Sequence, residues 1–344
     1  MKLIERAISC FNDKLPFVLY AKPQETILHG FFQKDDVLHE FQEQSGFVFH
    51  GFYNDTNVVF PLSESFVFQE NINLENQVNE VEMNREFDKN AQSLFVNLVK
   101  NAIAEIENGT FKKVVLSRTI SVSQTVDFVK SYQKLIQKYT GAFRYLWFHP
   151  KVGLWMGATP EQLAKIKNST FETVALAGTQ VFSENVIWQE KEIVEQQLVT
   201  DYIKNRTENL VEVLRISDSY THKAGNLVHL KSDISGKLKQ NVSELDVIQA
   251  LHPTSAVCGM PLEAARNFIL ENENYNRKYY SGFLGEFQMK EQTNLFVNLR
   301  CCEIENQKTT IYVGCGITKD SQAEKEFIET ENKSKTIKNI LVIA

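Results

Sequence analysis

The sequence predicts an α+β protein, not a doubly wound sheet, and three observations predict it. Strands and helices mix without strict βαβ alternation. "FRYLWFHP" and "GLWMGATP" read as paired strands, and "LFVNLRCCEI" with "TTIYVGCGI" as a hairpin. The motifs of nucleotide-binding sheets are missing or weak: there is no GxxxxGK[ST], and the GxG of "VGCGI" lacks its third glycine.

Taken in order, residues 15 to 70 read as short strands with turns, "PFVLYAKP" and "SGFVFHGF" among them. The polar stretch "VNEVEMNREFDKN" leads into a first long helix, "AQSLFVNLVKNAIAEIENG". Leu94, Leu98, Ala102 and Ile106 recur there at four-residue steps, and Gly109 stops it. The strand "KKVVLSRTISV" follows, then a helix near 126–139, the paired strands, and a further strand "TFETVALAGT". A long helix is expected over about 186–213. "LHPTSAVCGMP" is a loop entering the helix "LEAARNFILEN". After the hairpin comes an acidic helix containing "AEKEFIETENK". No repeat, low-complexity segment or obvious linker interrupts the chain.

With 344 residues the chain can bury a large core as one big domain or two. Its 43% hydrophobic and 23% charged residues are ordinary for a globular protein. A net charge of -6 disfavours nucleic acid and anionic membrane as main partners, but not a small anionic ligand, which needs only local positive charge. Glu5 and Arg6 interrupt the apolar start, so it reads as neither signal peptide nor membrane anchor. No apolar run approaches the roughly 20 residues that span a bilayer. Cys10, Cys258, Cys301, Cys302 and Cys315 form no CxxC pair and no zinc spacing. Reduced core thiols and a cytoplasmic location are the expectation.

Several residues could carry chemistry, each with a plainer alternative. Glu326, Glu329 and Lys333 fall at i, i+3 and i+7, on one face of the acidic helix, while Glu324 and Glu331 lie off it, where pairing and solvation would explain them. Glu192 and Glu195 sit one turn apart on another helix. Two such helices could form an oxygen-only Mg²⁺ site, or be two solvated helices that never meet. "GATPEQL" reads as a helix start with Thr159 as N-cap and Pro160 at N1. Glu161 would then complement the helix dipole, which lowers a carboxyl's pKa, so a general acid there would need burial to raise it again. Lys113 opens a strand on the face of Val115 and Ser117; it is either solvated or a desolvated base. Arg300, inside an apolar strand, must pair with a ligand carboxylate or with an internal acid. The backbone of Gly314 to Gly316 could offer N–H groups to the same anion. His252, in a loop of small polar residues, is structural or catalytic.

"KVVLSR", "GATPEQL", "LAGT", "KEIVEQ", "LHPTSAVCG", "YSGFLGEF", "VNLRCCEI", "YVGCGI" and "EFIETENK" stand in the order found in the chorismate-utilising enzymes. The chain resembles that family and, within it, the isochorismate synthases. The motifs cover residues 112 to 337. Residues 1–90 carry none and are expected to be the N-terminal part of the same domain, with 91–344 as the chorismate-binding region.

The resemblance implies a sandwich of two antiparallel sheets with helices packed outside and the active site in the cleft. It implies Mg²⁺ bridging Glu195 and Glu329 to a carboxylate of chorismate, with Glu326 in support. Arg300 would hold the enolpyruvyl carboxylate, and Lys333 would stand beside a substrate carboxylate. Gly178, Thr179, His252, Ala256, Gly314 and Gly316 complete the implied substrate contacts. Lys113 would deprotonate a water that attacks C2, and Glu161 would protonate the departing C4 hydroxyl. Gln196 stands where histidine is common. Anthranilate synthases carry glutamine in place of Lys113 and threonine in place of Ala256; aminodeoxychorismate synthases carry lysine in place of Ala177. Salicylate synthases share Lys113 and Glu161 but eliminate pyruvate, and Tyr280, Leu299 and Tyr312 do not separate them from this chain. The product is expected to be isochorismate for menaquinone synthesis, with a siderophore pathway as the alternative. A monomer is expected, with a dimer as the alternative.

Overall fold

The computed structural model describes residues 2–53, 57–72, 88–224 and 227–344. Two antiparallel sheets and seven helices account for the described residues. The chain divides into two compact units, residues 1–161, 257–284 and 296–344, and residues 162–256 and 285–295.

The N-terminal stretch supplies the expected short strands: β1 (Phe17–Ala21), β2 (Ile27–Gln33), β3 (His39–Glu40), β4 (Gly46–His50), β5 (Asn57–Pro61) and β6 (Ser65–Asn71). Ahead of them lies α1 (Lys2–Asn12), not foreseen from sequence, which buries Leu3, Ile4 and Ala7 at helical spacing. Residues 78–87, read as a polar lead-in, lie outside the described residues. The first long helix is α2 (Lys89–Glu107), whose N-cap Asp88 accepts from the N–H groups of Asn90 and Ala91. Its core stripe is Phe95, Val96, Val99 and Ala102, one position off the expected one, and Leu94 is 63% exposed. Next come β7 (Lys113–Val122), α3 (Phe128–Lys138), β8 (Phe143–His149) and β9 (Gly153–Thr159).

The second unit holds β10 (Gln162–Lys167), β11 (Thr170–Val181), α4 (Glu190–Thr207), β12 (Val211–Ile216), β13 (Tyr220–Ala224), β14 (Leu227–Leu238) and α5 (Glu244–Leu251). The helix expected to reach 213 therefore ends at Thr207, and the chain turns through Glu208–Leu210 into a strand. The rest comprises β15 (Gly259–Met260), α6 (Leu262–Asn272), β16 (Phe283–Met289), β17 (Gln292–Val297), β18 (Cys301–Glu305), β19 (Lys308–Ile317) and α7 (Ala323–Lys338).

In the first unit a nine-stranded sheet runs β15-β7-β19-β18-β9-β8-β1-β2-β6. Alternation along its strands separates two faces. On one, α1 and α3 close over Leu19, Leu146 and Met156, while Phe95, Ile269 and Phe327 of α2, α6 and α7 close over Val114, Leu116, Cys315 and Ile317. The other face is aromatic: Phe47 packs on Tyr20 and Phe143, and Phe49 on Trp147 and Trp155. Lys113, Val115 and Ser117 alternate with the helix-covered Val114 and Leu116, and Gly316 and Gly314 pair with Val115 and Ser117. The second unit is organised around the long β11–β14 ladder, with α4 burying Gln196, Val199, Thr200 and Ile203.

Two sequence expectations fail here. "GATPEQL" starts no helix: β9 ends at Thr159 and β10 begins at Gln162. The Thr159 hydroxyl donates to the Val297 carbonyl at 2.5 Å, and the Val297 N–H donates to the Glu161 carbonyl at 2.9 Å. Sheet hydrogen bonding thus overrides the local capping chemistry. "LFVNLRCCEI" is not one strand either. It breaks at Asn298–Arg300, between β17 and β18, which belong to different sheets.

Cys258, Cys301, Cys302 and Cys315 are buried free thiols, as expected, while Cys10 is half-buried. Among the described residues no helix is long and apolar enough to cross a membrane.

Candidate functional site

The break at Asn298–Arg300 is built by a buried asparagine. Asn298 accepts from the Tyr145 hydroxyl at 2.7 Å and donates to the Tyr279 carbonyl at 3.0 Å. Arg300 follows in the left-handed region, at φ 48°, with its carbonyl accepting from the Ala158 N–H. Its half-buried guanidinium is pulled down from its ordinary value by burial and pulled up by Tyr280, Glu329, Tyr139 and Glu161.

β18 stops at the Cys301–Tyr312 pair, so it does not reach the end of β19. There Lys333 of α7 donates to the Gly314 carbonyl at 3.0 Å and pairs with Glu329 at 2.6 Å. Both glycines keep this surface low. A Cβ on Gly314 would stand 2.7 Å from the Leu116 carbonyl oxygen and 2.8 Å from the Tyr280 hydroxyl; one on Gly316 would meet Cε of Lys113 at 3.1 Å. Lys113 therefore lies over Gly316.

Glu161 lies within electrostatic reach of Lys113, Lys333 and Arg300. With no helix behind it, the dipole effect expected from sequence disappears. Burial pushes its carboxyl up to about 7, against the opposing pull of Lys113, Lys333 and Arg300. A carboxyl near 7 beside an amine is suited to donating a proton at neutral pH.

On α7, Glu326 is raised above its ordinary value, first by burial and then by the Glu329 charge, while a Ser321 hydrogen bond opposes the rise. Glu331, expected to be solvated, is instead part-buried between Arg118 and Lys338, the latter at 2.8 Å. Arg118 also donates to the Thr330 hydroxyl at 2.8 Å, tying α7 to β7 by its far face. Among the described residues no cluster of three or more histidine, cysteine or acidic side chains preforms a metal cage. The oxygen-only pair Glu326 and Glu329 still fits a hard cation such as Mg²⁺, which takes one or two carboxylates and fills its shell with ligand oxygens and water.

The remaining expected residues lie in the second unit. Gly178 sits at a bulge of β11 with φ 66°, where a Cβ would press on Glu192 at 3.0 Å. Thr179 is placed by its backbone, opposite His229. Glu192 caps its helix, accepting from the Gln189 N–H at 3.0 Å. Gln196 is buried and donates to Thr200 and Ser232, both at 2.9 Å, anchoring α4. Half-buried Glu195 precedes it. His252 caps α5 and is buried; Ala256 is half-buried in the loop that follows.

The first unit thus brings Lys113, Glu161, Arg300, Gly314, Gly316, Glu326, Glu329 and Lys333 to the β7–β19–α7 region. The second holds Gly178, Thr179, Glu195, His252 and Ala256. Sequence reasoning missed Asn298, although an asparagine inside an apolar run was a visible signal. It also missed Arg118, Glu273 and Arg277, whose partners are distant in sequence or sit in an unremarkable polar stretch.

A family model described as chorismate binding enzyme matches residues 57–342. Over 260 residues the chain is 28% identical to anthranilate synthase component 1 of Thermococcus kodakarensis, covering 71% of this chain and 59% of that protein. Over 252 residues it is 29% identical to the isochorismate synthase MenF of Haemophilus influenzae, covering 69% and 57%. The matches therefore span less than two thirds of these relatives. In structure it is similar to a DhbC-type isochorismate synthase of Bacillus anthracis, with TM-score 0.78, 22% identity, and coverage of 98% of this chain and 99% of that one.

Proposed function

Because the chain belongs to the chorismate-binding enzymes, we propose that it is an isochorismate synthase, adding water at C2 of chorismate as the C4 hydroxyl departs. The observation that carries this reading is Glu161, held near 7 by burial and within electrostatic reach of Lys113, Lys333 and Arg300. Lys113 takes a proton from the attacking water. The new C2–O bond forms, both ring double bonds shift (C1=C2 to C1=C6 and C5=C6 to C4=C5), and the C4–O bond breaks. Glu161 supplies the proton with which the C4 oxygen leaves as water. Arg300 and Lys333 bind substrate carboxylates, which fixes the ring between acid and base. On the first unit Glu329, with Glu326 in support, would hold Mg²⁺, which when bound would neutralise and orient a substrate carboxylate. Menaquinone synthesis is the pathway proposed to use the product.

Lys113 and Ala256 favour water over ammonia, and Ala177 leaves no lysine nucleophile. The test is a chromatographic time course with chorismate and Mg²⁺ at neutral pH, with pyruvate measured in parallel. Isochorismate in reversible equilibrium with chorismate, without matching pyruvate, is the expected outcome. Stoichiometric salicylate and pyruvate would mark a lyase, and anthranilate formed with ammonium would mark an anthranilate synthase.

The two glycines should respond differently to alanine. At Gly314 the new methyl meets a strand carbonyl and a packed tyrosine, neither of which can easily move. Overpacking at Gly314 should cost about 1–3 kcal/mol of folding stability. At Gly316 the methyl meets only the flexible end of Lys113, so Gly316→Ala should destabilise the fold less. Melting curves of the two variants check this, and equal losses of stability would contradict it.

A further inference from the structure

We propose that the buried pair Glu273–Arg277 positions Lys113 by standing in for a missing strand at the edge of β7. This rests on the reading of Lys113 as the base. β15 is two residues long and pairs only with Val114 and Lys113. Beyond it, the edge of β7 meets side chains in place of a strand. Arg277 donates to the Val115 carbonyl at 2.7 Å, and Glu273 accepts from the Ser117 N–H at 2.7 Å and the Ser117 hydroxyl at 2.9 Å. The pair is two-pronged, with N–O distances of 2.7 and 2.6 Å, and each side chain is 1% exposed.

Arg277 also donates to the Val257 carbonyl at 3.0 Å, and the Val115 N–H donates to the Cys258 carbonyl at 2.8 Å. The strand, the loop ahead of β15 and the end of α6 are thereby tied at one point. The Ser117 hydroxyl lies 2.6 Å from that of Tyr275, and the Phe52 ring lies 4.5 Å from the guanidinium.

Stability alone does not explain such a pair. Buried ion pairs are often replaced by apolar residues of similar volume with no loss of stability. What an apolar pair cannot supply is direction: a donor aimed at Val115 and an acceptor aimed at Ser117, alternate residues on the face that carries Lys113. Misplacing a catalytic group by about 1 Å can cost on the order of 10²-fold in rate.

The test compares the parent with the double variant Glu273→Leu/Arg277→Met and with Arg277→Lys, using melting curves, kcat, KM and the pH–rate profile. Arg277→Lys keeps the charge balance but has fewer directed donors, so it serves if the double variant does not fold. The expected result is a folded protein with KM for chorismate within about 3-fold of the parent. Its kcat should be lower by 10-fold or more, with a change in the pH–rate limb that Lys113→Ala removes. A folded variant with the kcat and pH profile of the parent would overturn the proposal. So would a loss of kcat that follows only the loss of folded protein and leaves the profile unchanged. Parent-like turnover by Lys113→Ala would overturn the base assignment itself, an outcome separate from these.

Discussion

Glu161→Gln is expected to lower turnover of chorismate by about 10²–10⁴-fold while the protein remains folded, because it removes the proton donor and keeps the shape. Lys113→Ala should lose a similar factor by removing the acceptor. In the parent, the limb belonging to Glu161 should fall as pH rises through about 7, since the acid is spent once ionised. Stability should fall over the same direction of pH. The folded-state value lies above the ordinary 4.5, so between those two pH values the folded protein binds more protons than the unfolded chain. Stability contributed by this group is therefore full below about 4.5 and lost as pH rises to about 7. Glutamine carries no such penalty. Relative to the parent, Glu161→Gln should gain melting temperature across that window, with at most about 3 kcal/mol gained above it. Kinetics and melting curves over pH 4 to 9 check both halves. Normal turnover by Glu161→Gln would leave Glu161 with no role in the chemistry.

Chelation is expected to abolish activity, and Glu326→Gln or Glu329→Gln to weaken Mg²⁺-dependent turnover, with at least about 10²-fold for Glu329→Gln, the few kcal/mol that a metal contact supplies. Glu329 pairs with Lys333 at 2.6 Å, so its replacement also frees the lysine that is held at Gly314. A readout independent of turnover is thermal stabilisation by Mg²⁺ together with substrate, which the parent should show and the variants should largely lose. Full turnover in excess chelator would contradict the metal assignment.

Elements with a complete local signal were legible. "LEAARNFILEN" became α6 over Leu262–Asn272, the strands β8 and β9 paired as expected, and β18–β19 formed from the second half of the expected hairpin strand onward. Where two structures share one local chemistry, distant partners decided. Thr159-Pro160-Glu161 has the residues of a helix start, but hydrogen bonds to Val297 make it a strand junction. The apolar run through Leu299 holds no glycine or proline, yet Asn298 bends it between two sheets.

The acidic helix shows the same limit at the site. Spacing puts Glu326, Glu329 and Lys333 on one face, but nothing in it reveals that Arg118, more than 200 residues earlier, holds Glu331 on another. Motif order named Lys113 and Glu161. Only the fold shows that burial, in the absence of a helix dipole, sets the Glu161 carboxyl near 7.

The most direct test of the central claim is turnover of chorismate in ¹⁸O-labelled water, followed by mass spectrometry at early times. Water attack at C2 should give isochorismate carrying one ¹⁸O on its new hydroxyl. Unlabelled isochorismate, or release of pyruvate and an aromatic product in its place, would contradict the account.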